Sequence, residues 1–305
     1  MLTFLNKKGY YQGVIFLLLM MIVSCANDVI AKYIGQRLDS IEVIFFRFFF
    51  GFITLLPFAL SRGLNAFKTQ HITTNIMRGV LGVVSFYLYN SALVHLQIVE
   101  VVTVLWTIPL FVLILSAVFL NESVNNTRLF ATLFGFIGLA FITMYDSGVT
   151  FSFKLIYLVP AASAFLFAVQ DVMIKKLVDN DSKVTMLLYF SLVTTILSVI
   201  PALLVWKAPT LFELSMLFIY GAFANLMQYF IFRAFAATDL SALAPYRYLE
   251  FLFSAAAGFI FFAELPGLNV IMGALILIPC TLYLCYSENK KTKKVQLSSP
   301  KQEAA

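Results

Sequence analysis

Ten long stretches of predominantly apolar residues dominate this sequence and restrict what it can fold into. A helix needs about 20 apolar residues to cross about 30 Å of hydrocarbon, and each stretch is close to that length. The predicted segments are 10–34, 41–61, 73–94, 97–120, 127–145, 152–176, 185–206, 211–235, 242–263 and 267–287. Because the connections between them are short, we expect no soluble domain among them. The sequence therefore predicts an all-α membrane protein with ten transmembrane helices.

The composition excludes several other classes of protein. Of the 305 residues, 61% are hydrophobic and only 12% are charged, whereas soluble domains have about 45–50% and about 25%. A soluble globule of this size has too much surface to hide so many apolar residues, so soluble enzymes and nucleic-acid binders are excluded. The sequence contains two histidines, His71 and His95, and none of the common metal, phosphate or nucleophile motifs. We expect no enzyme activity, no metal and no cofactor, and an intramembrane enzyme is the alternative of a different class.

The positions of the basic residues predict the orientation. Ten spans place both termini on one side, and cytoplasmic loops carry an excess of Lys and Arg. With both termini cytoplasmic, 15 of the 21 Lys and Arg lie inside, five of them in the final residues. The four outside are Lys32, Arg37, Lys154 and Lys207. Arg47 and Arg247 remain within the membrane. This distribution predicts cytoplasmic termini.

The two halves of the sequence contain an internal repeat. Residues 26–32 (ANDVIAK) and 169–175 (VQDVMIK) share an amide, an Asp, a Val and a Lys at an offset of 143, and 119–122 (FLNE) matches 261–264 (FFAE) at 142. At the offset of 142, Gly79 also aligns with Gly221, Tyr87 with Tyr229, and Ala92 with Ala234. Because five is odd, two five-helix copies have opposite orientations, as is common in secondary transporters; a duplication without a transport role is the alternative. The predicted domains are a first repeat at 1–147, an inverted second repeat at 148–288, and a basic, disordered cytoplasmic tail at 289–305.

Ten spans in two inverted halves resemble the drug/metabolite transporter superfamily, specifically its EamA-type members. Residues 26–38 (ANDVIAKYIGQRL), 42–50 (EVIFFRFFF) and 244–255 (APYRYLEFLFSA) are similar to segments of the S-adenosylmethionine uptake carriers of intracellular bacteria. The resemblance implies a secondary-active carrier of the bacterial inner membrane that imports S-adenosylmethionine by alternating access, in exchange for S-adenosylhomocysteine. Import or export of amino acids or another organic cation, coupled to protons, is the alternative. The mode of coupling and the oligomeric state are left open.

The ninth segment carries the densest group of candidate substrate-binding residues: Tyr246, Arg247, Tyr248 and Glu250. Arg247 and Glu250 are three apart and can pair on a helix. Arg can fork onto a carboxylate, Glu can face an ammonium, and phenol rings attract a sulfonium and stack on adenine. The alternative is an Arg–Glu pair that only fixes helix packing.

Three further residues are predicted to contact substrate: Trp106, Tyr87 and Asn90. Pro109 removes a backbone donor and frees a carbonyl near Leu105, so the fourth segment is expected to kink beside Trp106. A kinked helix with a free carbonyl suits a cavity wall. Tyr87 and Asn90 lie in the third segment, where they would line the same cavity.

Four charged residues are candidates for gating or coupling. Asp28 and Lys32 are four apart and share a helix face, as do Asp171 and Lys175. Inversion places Asp28 toward the outside and Asp171 toward the inside. Each pair either gates or binds a charged part of the solute, or is an ion pair at a helix end with the lysine reaching water.

Glu42, Arg47 and Glu100 complete the gating or coupling candidates. Glu42 and Arg47 are five apart, about 140° around a helix, and are poor partners for each other. Arg47 lies among phenylalanines and therefore needs an acid from another helix or a carboxylate ligand. Glu100 either takes part in gating or caps the first turn of its helix.

Overall fold

The computed structural model describes residues 9–96, 98–147, 155–263 and 268–298, and all regular structure within those ranges is helical. The α-helices are α1 (Tyr10–Ile34), α2 (Ser40–Arg62), α3 (Ile72–His95), α4 (Ile98–Leu105), α5 (Ile108–Phe119), α6 (Asn126–Ser147), α7 (Leu158–Leu177), α8 (Lys183–Leu204), α9 (Leu211–Ala237), α10 (Leu240–Leu243), α11 (Glu250–Phe262) and α12 (Leu268–Ser298). Short 3-10 helices cover Gly63–Phe67, Leu155–Tyr157 and Ala244–Leu249. The all-helical prediction is confirmed.

Within the described residues, six helical segments are long and apolar enough to cross a membrane: Tyr10–Ile34, Ser40–Arg62, Glu100–Phe119, Leu155–Leu177, Lys183–Leu204 and Leu211–Ala237. Large apolar side chains cover their outer surface; Leu60, Leu204 and Leu211, for example, are 78%, 82% and 85% exposed. Such a surface is stable in lipid but not in water. The chain is therefore a multi-pass membrane protein, and the count of ten spans stays a prediction.

Two of the predicted segments are broken helices. The fourth divides into α4 and α5 at Trp106 and Thr107, because Pro109 has no N–H to continue the hydrogen-bond ladder. The ninth consists of α10, the 3-10 helix Ala244–Leu249 and α11. Here too a proline, Pro245, stands at the start of the irregular turn. The break in the fourth segment was predicted, whereas the break in the ninth was not.

The last helix runs further than predicted. α12 continues to Ser298, so the first ten residues of the predicted disordered tail are helical. Lys and Gln, which are frequent there, are good helix formers, and the next proline is Pro300. Residues 299–305 lie outside the described residues. Of the predicted domain boundary at 147–148, residue 147 is described and residue 148 is not.

Glycines allow the central helices to approach closely. A Cβ built on Gly221 in α9 would lie 2.6 Å from the backbone nitrogen of Gly51 in α2. One built on Gly79 in α3 would lie 2.7 Å from the side chain of Val193 in α8. Such contacts between small residues and a neighbouring backbone are typical of helix packing in membranes. They fix α2, α3, α8 and α9 around the cavity described next.

Candidate functional site

A cavity of about 240 Å³, with mostly apolar walls, lies among the central helices. Its walls come from α2, α3, α5, α7, α8, α9 and the 3-10 helix after α10. The charged and amide side chains that line it are Arg47, Gln170, Asp171, Asn225, Gln228 and Arg247. The rings that line it are Phe48, Phe86, Phe167 and Phe190. Apolar walls with a few convergent polar groups are typical of small-molecule sites. We call this space the main cavity.

Arg47 lies in the main cavity with aromatic rather than acidic neighbours. Its Nη1 donates to the hydroxyl of Tyr220 at 3.3 Å. Its guanidinium carbon lies 5.3 Å from the centre of the Tyr220 ring and 5.7 Å from that of Phe86. No carboxylate in the described part of the chain forms an ion pair with it. No acid of another helix is in direct contact with Arg47, although Asp28 of α1 lies within electrostatic range of it. A carboxylate ligand for Arg47 stays a prediction.

Arg247 forms an ion pair with Asp171 of α7, on the wall of the main cavity. The sequence predicted two other pairs, Arg247 with Glu250 and Asp171 with Lys175. Glu250 instead accepts a hydrogen bond from the hydroxyl of Ser24 at 2.7 Å. Lys175 donates to main-chain carbonyls at the end of α9. The predicted pairings are corrected because contacts between helices compete with those along one helix.

A second cavity of about 160 Å³ adjoins the first at Arg247 and Ile108, which line both. Trp106, Pro109 and Glu250 also line it. The indole Nε1 of Trp106 is buried and has no acceptor among the described residues. The Arg247–Asp171 pair therefore separates the two cavities, with a second carboxylate, Glu250, on the far side of the arginine.

The rings of Tyr246 and Tyr248 lie in the core rather than beside Arg247. The hydroxyl of Tyr246 is 2.7 Å from that of Tyr10 and donates to the Thr281 carbonyl at 3.2 Å. Tyr248 is completely buried, and its hydroxyl donates to the Trp106 carbonyl at 3.2 Å, which satisfies a carbonyl at the break between α4 and α5. The predicted convergence of four side chains is corrected: only Arg247 and Glu250 line the cavities.

Tyr87 and Asn90 lie on α3 beyond the walls of the main cavity. The amide of Asn90 donates to the Phe86 carbonyl one turn earlier, at 2.9 Å. The hydroxyl of Tyr87 is buried and has no acceptor within the described ranges. Their predicted contact with substrate stays a prediction.

The gating candidates are distributed over several places. Asp28 and Lys32 are exposed near the end of α1, and Asp28 lies within electrostatic range of both Arg47 and Glu250. Glu42 is fully buried and accepts from the backbone N–H of Lys207 at 3.2 Å. Glu100 is in the first turn of α4 and accepts from the hydroxyl of Tyr157. Their roles in transport stay predictions.

Sequence reasoning missed much of the cavity wall. Asn225 and Gln228 of α9, and the rings of Phe86, Phe167 and Phe190, were not selected. The two amides stand three apart within an apolar segment, so they were a usable signal. The rings carried none, because the chain has 33 phenylalanines and most face lipid or other helices.

The fold and the cavity define a multi-pass helical membrane protein built around a small central site with a few charged and amide groups, as carriers are. A model of the EamA-like transporter family matches residues 11–144. An S-adenosylmethionine uptake transporter of Rickettsia bellii is 42% identical over 290 residues, 94% of this chain and 98% of that protein. A riboflavin transporter of Vibrio cholerae is 28% identical over 94% and 97%. A crystal structure with 17% identity superimposes with a TM-score of 0.77 over 90% of this chain and 96% of the other. The chain belongs to the EamA-like transporter family and is a transporter, not an enzyme.

Proposed function

We propose that this protein imports S-adenosylmethionine across the bacterial inner membrane, in exchange for S-adenosylhomocysteine. The relative that suggests this solute covers nearly the whole chain. The observation that carries the proposal is Arg47, a cavity arginine that contacts aromatic groups and forms no ion pair within the described residues. A charged group within a membrane is normally paired, hydrated or functional. A carboxylate from the solute would complete this site.

The other walls of the main cavity match the remaining groups of the solute. A sulfonium and an adenine ring both bind to aromatic faces, which Phe86, Phe167 and Phe190 supply. The amides of Asn225 and Gln228 can hydrogen-bond the edge of an adenine. Asp171 and Glu250 stand on either side of Arg247 and supply the negative charge that an ammonium needs. Arg47, Arg247, Asp171 and Glu250 are therefore the proposed substrate-binding and coupling residues.

Transport by alternating access rests on the proposed inverted repeat at 1–147 and 148–288. In such a repeat, α1 corresponds to α7 and α3 to α9. The packing supports this correspondence, since α1 packs against α9 and α7 against α3. The main cavity lies between these helices, where a solute would be reached from either side. Cytoplasmic termini follow from the basic residues, as the positive-inside rule requires.

Counterflow in proteoliposomes tests the proposal. Vesicles preloaded with unlabelled S-adenosylmethionine would face a trace of labelled S-adenosylmethionine outside. We expect transient accumulation that S-adenosylhomocysteine blocks and that Arg47→Gln reduces about ten-fold or more, since a hydrogen bond to a charged group contributes ~1.5–3 kcal/mol. The matched control is Arg62→Gln, since Arg62 is an exposed arginine at the end of α2. Its accumulation of labelled solute should equal that of wild type. Absence of accumulation with folded wild-type protein would reject the solute. Block by amino acids but not by S-adenosylhomocysteine would favour the alternative solute class.

A further inference from the structure

Arg78 of α3 is a second arginine in an unusual environment. Its side chain is completely buried, 4.7 Å from the centre of the Phe190 ring and 5.2 Å from that of Phe232. Nη2 donates to the carbonyl of Met186 at 2.8 Å. Nε and Nη1 have no acceptor among the described residues. Buried polar groups are nearly always satisfied in native proteins, so these two free donors call for a functional explanation.

Phe190 contacts both Arg78 and the main cavity. Its ring lines the cavity and also lies against the guanidinium of Arg78. The ring also lies against the backbone of α3, since a Cβ built on Gly82 would be 2.8 Å from Phe190 Cε2. Phe190 is therefore the ring that connects Arg78 to the cavity, while Phe232 packs on the guanidinium as well.

The proposed repeat relates Phe190 to Arg47. The N-cap residues of α2 and α8 are Asp39 and Ser182, which are 143 positions apart, the offset of the motif in α1 and α7. The same offset relates Arg47 to Phe190. Both residues line the main cavity, as their equivalence requires.

The repeat also relates Arg78 to Tyr220. Gly79 in α3 and Gly221 in α9 are 142 positions apart and make equivalent close contacts, Gly79 with α8 and Gly221 with α2. The preceding residues, Arg78 and Tyr220, therefore occupy equivalent positions.

Because Arg47 corresponds to Phe190 and Tyr220 corresponds to Arg78, the same arginine–aromatic contact occurs twice, once on each side of the repeat. Arg47 lies on the ring of Tyr220, and Arg78 lies on the ring of Phe190. In each copy an arginine of the first repeat stacks on an aromatic residue of the second. Arg47 is in the first half of α2 and Arg78 is in the first half of α3, so with consecutive spans that cross the membrane in opposite directions, as the sequence predicts, the two arginines lie toward opposite sides of it. Arg47 faces the cavity, whereas Arg78 is covered.

We infer that Arg78 is a second binding group for the carboxylate of the solute, used when the cavity opens to the cytoplasm. The inference rests on the proposed carrier function. With the predicted orientation, Arg47 binds the carboxylate on the outer side. Phe190 then moves away from Arg78, whose free Nε and Nη1 receive the same carboxylate on the inner side. The solute is thus paired with an arginine in both states.

Sided competition in membrane vesicles tests this inference. Right-side-out vesicles present the outer face to added solute, and inverted vesicles present the cytoplasmic face. Uptake of labelled S-adenosylmethionine would be measured at increasing concentrations of a competitor, either unlabelled S-adenosylmethionine or its decarboxylated form. For Arg78→Gln we expect the half-maximal competing concentration to rise about ten-fold or more on the cytoplasmic face only. The preference for the carboxylated competitor should be lost on that face. Arg47→Gln should show the reverse pattern, and Arg62→Gln should match wild type on both faces.

Several outcomes would contradict the inference or the proposed function on which it rests. An Arg78→Gln protein that matches wild type on both faces, or that loses affinity equally on both, would overturn it. If Arg78→Gln does not fold, Arg78→Lys replaces it, since lysine keeps the charge but cannot donate two parallel hydrogen bonds to a carboxylate. An unchanged cytoplasmic preference of Arg78→Lys for the carboxylated competitor would also overturn the inference. Wild-type vesicles that fail to transport S-adenosylmethionine would instead reject the proposed function itself.

Discussion

The two ends of the helix bundle are held together by different kinds of ion pair. At the predicted outer end, Arg37 binds Glu213 at the start of α9 and the carbonyl of Ala208 at 3.0 Å. The Arg37 side chain is 37% exposed, whereas that of Glu213 is only 10% exposed, so the pair reaches water through the arginine. Hydrogen bonding to Glu213 raises the pKa of Arg37 above its already high usual value. This pair connects the loop after α1 to α9 while remaining in contact with water.

At the opposite end of α9, Arg128 of α6 is buried in a network. Its Nε and Nη2 donate to both oxygens of Glu288 at 3.0 and 2.9 Å. Further donations reach Asp239 at 3.1 Å and the hydroxyl of Ser241 at 2.8 Å. The Arg128 side chain is only 6% exposed and that of Glu288 only 8%.

The difference indicates which end opens more easily. An ion pair whose arginine is open to water contributes less to stability and is screened more by salt, and without Arg37 the Glu213 carboxylate still accepts hydrogen bonds from Thr210. Removing one partner of a pair that is buried on both sides leaves an uncompensated charge. The outer pair is therefore suited to break and re-form during transport. The Arg128 network is suited to hold α6, α10 and α12 together throughout.

The largest effect is expected for Arg128→Gln. Loss of the guanidinium leaves Glu288 buried without its main counter-charge, which costs about 3–5 kcal/mol in the free energy of unfolding. Denaturation of the purified protein in detergent, followed by helical circular dichroism, measures this change. Arg62→Gln removes an exposed arginine that donates to Ser182 at 2.9 Å and should leave the midpoint unchanged. Equal midpoints for the two variants would refute the assignment of Arg128 as a permanent contact.

A smaller effect, on affinity rather than on stability, is expected for Arg37→Gln. Without the outer pair, the population shifts toward the outward-open state, and apparent affinity rises with the fraction of competent protein. We expect a lower half-saturating concentration for external solute and an unfolding midpoint close to wild type. Uptake kinetics in right-side-out vesicles measure the first quantity. Arg37→Lys keeps the charge and should behave nearly as wild type, while a marked loss of stability in Arg37→Gln would remove the contrast between the two ends.

The sequence predicted much of the helical arrangement because the length of an apolar run is a local property. The predicted segment 10–34 coincides with α1, and Pro109 correctly predicted the break between α4 and α5. The turn at 244–249 was missed, since residues such as Tyr248 are held there by contacts with other helices, including the Trp106 carbonyl.

The candidate site was only partly predictable for a related reason. The energetic cost of charge in a membrane pointed to Arg47, Asp171 and Arg247, and all three line the main cavity. The partner of Arg247 was not predictable, because Asp171 is 76 positions away and only the packing of α7 brings it near. Arg78 was counted among the cytoplasmic residues, although the structure buries it completely.

The smallest effect is expected from salt. Raising sodium chloride from about 0.05 M to about 0.5 M shortens the screening length to a few ångström, which weakens the partly exposed Arg37–Glu213 pair more than the buried Arg128 network. The difference in external half-saturating concentration between wild type and Arg37→Gln should therefore shrink at high salt. The stability difference between wild type and Arg128→Gln should persist under the same change. If both differences shrink together, the two ends do not differ in solvent access, and the easier opening of the outer end loses its physical basis.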